Sequence, residues 1–125
     1  MGITGVHVLL YTREPDALRA TLRDAFGWKH VDAGDGWLIF VLPPAELGVH
    51  PAEGRTYESG VRHQFTLMCD DIEATIRELR AKGIEVKDEP SDEGFGVTVM
   101  LHLPGEVEVL LYEPRHPVAI ESLPR

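Results

Sequence analysis

One cysteine in 125 residues, Cys69, leaves no intrachain disulfide and no multi-cysteine metal site to consider. Basic residues are also scarce: 12 Lys and Arg stand against 21 Asp and Glu, a formal net charge of −9. Nucleic acid and anionic membrane surfaces are bound through clustered Lys and Arg, so neither is expected as a partner. No apolar run is long enough for a membrane span. The first residues carry neither a charged-then-apolar leader nor a myristoylation signal, and a cytoplasmic location is expected. A Gly-rich phosphate loop, a Ser–His–Asp order and zinc-finger spacing are missing too. Cys69 is flanked by Met68, Asp70 and Asp71. Acids raise a thiol pKa, so it reads as a small buried residue at a strand end.

What is present has ordinary globular composition, 43% hydrophobic and 26% charged, in a length that suits one domain. Val6–Thr12 reads as a strand. Glu14-Pro15-Asp16 then opens a helix whose apolar positions are Leu18, Leu22, Ala25 and Phe26, and Gly27 stops it. Strands are expected at Trp28–Ala33, Trp37–Leu42 and Glu46–Pro51, separated by Gly34-Asp35-Gly36 and Pro43-Pro44. The polar stretch Ala52–Gly60 reads as a linker. The order then repeats with a strand at His63–Cys69 and a helix opened by a capping box of Asp70 and Glu73. That helix buries Ile72, Ile76 and Leu79 and ends at Gly83. Strands at Ile84–Lys87, Gly96–Leu103 and Glu106–Tyr112 complete it, with a loop around Pro90–Phe95. Two βαβββ modules are therefore expected, over residues 5–51 and 62–113, with a linker at 52–61 and a tail at 114–125. The fold class is α+β, with helices outside a curved antiparallel sheet.

The segments HVLLYTREPDALRATLRDAFGW, CDDIEATIRELRAKGIEV and LPGEVEVLLYEP, in that order, resemble the vicinal oxygen chelate superfamily. That group includes glyoxalase I, bleomycin-resistance proteins, fosfomycin-resistance enzymes and extradiol dioxygenases. The resemblance implies that the two βαβββ modules form a curved, barrel-like mixed sheet around a cavity, with the two module sheets facing across it and the helices outside. In metal-dependent members it also implies four ligands: a His or Gln on the first strand of each module and an acid on the last. Many relatives are dimers, of complete chains or with modules exchanged, so a homodimer is expected.

Carried over residue by residue, this pattern is incomplete. His7 occupies the first-strand position and shares its face with Leu9 and Tyr11. In the second module the helix starts pair Gln64 with His7, whereas the helix-ending glycines pair His63 with it. Strand parity favours Gln64, with Thr66 and Met68 inward and Phe65, Leu67 and Cys69 towards the helices. The two acid positions fall on Leu110 and Gly48, which offer a metal no side-chain donor. Glu108 and Glu46 lie one pleat further along, about 6–7 Å away. His50 has the inward parity and reads either as a second imidazole or as a solvated strand end.

No metal or other cofactor is therefore expected. A divalent ion, if bound, would take His7, His50 and Gln64, without the carboxylate that glyoxalase proton transfer or a dioxygenase facial triad needs. The expected function is binding of a small apolar or aromatic molecule in a cavity lined by His7, Tyr11, Trp37, His50, Gln64, Met68, Leu110 and Tyr112. A metal-dependent lyase or dioxygenase is the alternative reading, and a non-catalytic subunit or interaction module is another.

Overall fold

The computed structural model describes Gly2, residues 7–49 and residues 51–119. It contains three helices and six strands among those residues. Helix α1, Pro15–Asp24, has proline in its first turn, Asp16 at its positive end and Arg23 in its last turn. It ends before Gly27, whose φ of +68° suits glycine. A hairpin of β1, His30–Asp32, and β2, Leu38–Phe40, follows. The Asp32 carboxylate closes the turn by accepting from the Gly34 and Gly36 amides.

The linker carries one short helical turn, α2, Arg55–Glu58. Next come β3, Thr66–Met68, and α3, Ile72–Ala81, then β4, Ser91–Asp92, β5, Gly96–Leu103, and β6, Val107–Pro114. These strands form one sheet in the order β3-β6-β5-β4, with β3 parallel to β6 and the other pairs antiparallel. The architecture is α+β, as the residue pattern implies. Alternation along β5 and β6 sends Val97, Val99, Leu101, Leu103, Val107, Val109 and Leu111 to one side. There they form the core with Leu18 of α1 and Ile72, Ile76 and Leu79 of α3. Phe65, Leu67 and Cys69 pack against the same core, in agreement with the expected parity.

Several expected elements differ. Residues 7–12 belong to no strand ladder. The end of this segment is instead tied to the β5–β6 turn, where the Thr12 hydroxyl donates to the Pro104 carbonyl at 2.9 Å and the Gly105 amide donates to Glu14 at 2.9 Å. No strand forms over residues 46–49, and His50 lies outside the described residues. The β-propensity there is real, but a strand needs a neighbour, and Leu47 and Val49 are each 92% exposed. Ile84–Lys87 contributes only a bridge from Glu85 to His102. The stretch read as a loop holds β4, because Asp92 accepts from the Gly94 amide and turns the chain straight back onto β5.

The helix start also moves by one residue. Asp71, not Asp70, is the N-cap of α3, and its carboxylate accepts from the Ala74 amide at 3.1 Å.

Candidate functional site

The side of the four-stranded sheet opposite the helices is here called the open face. Register assigns its members. Thr66 pairs with Leu110 and Met68 with Tyr112 across β3 and β6, while Thr98, Met100 and His102 pair with Tyr112, Leu110 and Glu108 across β5 and β6. Pairs directly opposite share a face, so Met68, Leu110 and Tyr112 come together, flanked by Thr98 and Met100. Leu110, Tyr112, Met68 and Met100 are half-buried, and Thr98 is buried. The result is an apolar floor with a phenol and a threonine hydroxyl on it.

One end of this floor is aromatic. The Phe95 ring meets Tyr112 edge-on at 5.8 Å between centroids, and the His116 ring lies 5.7 Å from Tyr112 on a tilt. Gly96 makes this possible: it is buried, and a Cβ there would strike the Tyr112 ring edge and the Glu113 carbonyl. Burial raises the Tyr112 pKa, and the negative charge of Glu46 raises it further. The phenol therefore stays protonated throughout the neutral range. Glu46, half-buried, also accepts from the Ala119 amide at 2.8 Å.

The other proposed lining residues are placed differently. His7 and Gln64 are exposed, and Tyr11 is 87% exposed beside the Gly105–Glu106 turn. Trp37 lies against α1, where the Arg19 guanidinium sits 4.7 Å from its ring centroid. Arg19 binds Asp16 as well, so this contact fastens the hairpin to the helix. Among the clefts that indent the described surface, one of about 390 Å³ lies between α1 and residues 82–84 and one of about 400 Å³ between residues 11–13 and 105–106. Neither includes Met68, Leu110 or Tyr112.

The four-ligand set implied by the resemblance does not fit these residues. Leu110 presents methyl groups at one acid position and Gly48 has no side chain at the other. Among the described residues no three His, Cys, Asp or Glu side chains group to hold a metal ion. Cys69 is not an activated nucleophile either. Burial pushes its thiol pKa up, a hydrogen bond with Thr75 opposes this, and Glu113, Asp70 and Asp71 add to the rise.

Sequence reasoning missed Phe95, His116 and Thr98 as neighbours of Tyr112. Parity along Gly96–Leu103 carried the signal for Thr98 and Met100. Nothing local marked Phe95 or His116, which lie outside the expected strands and reach Tyr112 only through the fold.

Solved structures share this fold. An antibiotic-binding protein from Streptomyces sp. CB03234, TnmS3, superposes with a TM-score of 0.63 at 19% identity, over 91% of this chain and 98% of that one. A lactoylglutathione lyase from Agrobacterium tumefaciens gives 0.60 at 19%, over 90% and 96%. The fosfomycin resistance protein FosX from Listeria monocytogenes gives 0.55 at 17%, over 97% and 99%. No curated protein matches the sequence. At such identities these likenesses establish fold. The family model of the Glyoxalase/Bleomycin resistance protein/Dioxygenase superfamily matches residues 5–114, and the chain belongs to that superfamily.

Proposed function

We propose that this protein binds a small apolar or aromatic molecule on the open face of its four-stranded sheet, without a four-ligand metal site. One observation carries the reading. Leu110, where the resemblance calls for a metal-binding acid, sits among Met68, Met100 and Tyr112 on a half-buried apolar surface. A divalent ion held there would lack a carboxylate to balance its charge and a base to move a proton. An antibiotic-binding protein and a lyase share the fold, so the architecture accommodates binding with or without chemistry.

The open face needs a cover, and a second copy of this chain is the proposed one. The isolated chain exposes 9434 Å². A compact monomer of its mass would expose roughly 6,700 Å². The excess is of the size that permanent dimers bury per subunit. Of the twelve large hydrophobic residues that stand exposed among the described residues, nine lie between Val8 and Val49.

A thermal shift panel of aromatic compounds tests the binding, since a ligand at 100 times its Kd adds about 2.7 kcal/mol. Leu110→Glu should abolish the shift. Elemental analysis of protein purified without added metal, repeated on His7→Ala, tests the metal-free part. Stoichiometric metal that disappears in the variant would overturn it.

A further inference from the structure

The open face is not uniformly apolar, and its aromatic end has a charge preference of its own. We propose that the Phe95, Tyr112 and His116 rings, with the Glu46 carboxylate beside them, form a subsite for the cationic end of the ligand, an alkylated ammonium on an apolar or aromatic body. This inference rests on the binding reading above and adds the charge of what is bound.

Three observations support it. First, the rings are held as a cluster: Tyr112 is half-buried over Gly96, while Phe95 is 56% exposed and His116 is exposed, leaving ring surface open to a ligand. The face of an aromatic ring is the negative end of its quadrupole and attracts cations. Second, the charge that acts on Tyr112 is negative. It is that of Glu46, and the nearby guanidinium of Arg115 is already engaged by Asp92. Third, among the described residues Glu46 accepts one backbone hydrogen bond, from Ala119, and its carboxylate has capacity for more.

That third point decides between ligand classes. A neutral molecule lying across these rings would strip water from the carboxylate and give nothing in return, which is unfavourable for a buried unpaired charge. An ammonium group returns the lost interaction and adds cation–π attraction. An anion meets repulsion from Glu46 and from a chain of net charge −9.

The test uses two probes of nearly equal shape, phenyltrimethylammonium and tert-butylbenzene, titrated into the full-length protein. Binding is read from the ring NMR signals of Phe95, Tyr112 and His116. The cation should bind at least about tenfold more tightly, a difference of about 1.4 kcal/mol. Glu46→Gln should erase that preference from both sides, weakening the cation and tightening tert-butylbenzene, which no longer desolvates a carboxylate; the amide oxygen can still accept from Ala119. Phe95→Leu should weaken the cation and spare the neutral probe. Equal affinity for the two probes, or a preference that survives Glu46→Gln, overturns the subsite. If tert-butylbenzene shifts Met68 and Met100 methyl signals while the cation shifts nothing, the apolar site stands and this inference falls. If neither probe perturbs the open face, both fall together.

Discussion

At the scale of single residues, two glycines separate backbone conformation from crowding. Gly94 and Gly105 have nearly the same φ, +83° and +80°. Around Gly94 a Cβ would meet nothing within 4 Å. Around Gly105 it would overlap the Thr12 hydroxyl and stand 2.8 and 2.9 Å from the Glu14 and Arg13 amide nitrogens. Gly94→Ala should therefore cost about 1–2 kcal/mol, the conformational penalty alone. Gly105→Ala should lose about 1–3 kcal/mol more, because the clamp on residues 12–14 must open. Urea titration of the two variants measures the difference, and equal losses would mean that the clamp carries no stability. Cys69 gives another residue-scale expectation. Its pKa is raised by burial, so the thiolate appears only above the usual thiol range. Maleimide labelling of folded protein at pH 7 should be many times slower than labelling in urea, and should accelerate as pH rises. Rapid labelling at neutral pH would show an exposed, unburdened thiol.

Elements differ in how openly the sequence declares them. Helix α3 was legible almost to its ends, since Ile72, Ile76 and Leu79 recur at helical spacing and all three are buried. Its start was misread by one residue because Asp70 and Asp71 are both competent caps, and only the backbone decides which one faces the Ala74 amide. Asp71→Ala should thus destabilise by about 1 kcal/mol and Asp70→Ala by much less. Thermal denaturation separates the two, and the reverse order would restore Asp70 as the cap. Strands β5 and β6 were legible from their alternation, which puts Val97, Val99, Leu101, Leu103, Val107, Val109 and Leu111 on one covered face and leaves Leu110 on the other. The strands expected at residues 6–12 and 46–51 contain β-forming residues but have no ladder over the described residues. Propensity describes a residue's fit to a sheet, and the neighbouring strand has to come from elsewhere in the fold. The candidate site divides along the same line. Met68, Tyr112 and Leu110, the first two expected from the strand pattern and the last from the resemblance, share one face of the sheet, whereas Phe95 and His116 were hidden because a bend and a tail bring them to Tyr112.

Across the whole molecule, the unpaired segments and the exposed apolar residues of the first half bear on one question, whether the folded unit is one chain or two. Val31, Val41, Leu47 and Val49 stand between 63% and 92% exposed, with no core of their own. The buried core draws almost wholly on the second half; Leu18 is its only fully buried member from before Ile72 among the described residues. If two copies associate as proposed, the stability gained depends on protein concentration. Raising the concentration 100-fold should add about 2.7 kcal/mol to the apparent stability of a dimer that unfolds to monomers. For a unit of about 250 residues, that lifts Tm by roughly 5–10 °C. Sedimentation equilibrium over the same range should give twice 13.9 kDa at the upper end. The bound aromatic probe ties assembly to function: if the second copy covers the open face, dilution to monomer should release the probe as the dimer dissociates. A Tm independent of concentration, together with a 13.9 kDa species that still binds the probe, would show that one chain suffices and that the exposed apolar residues of the first half serve another purpose.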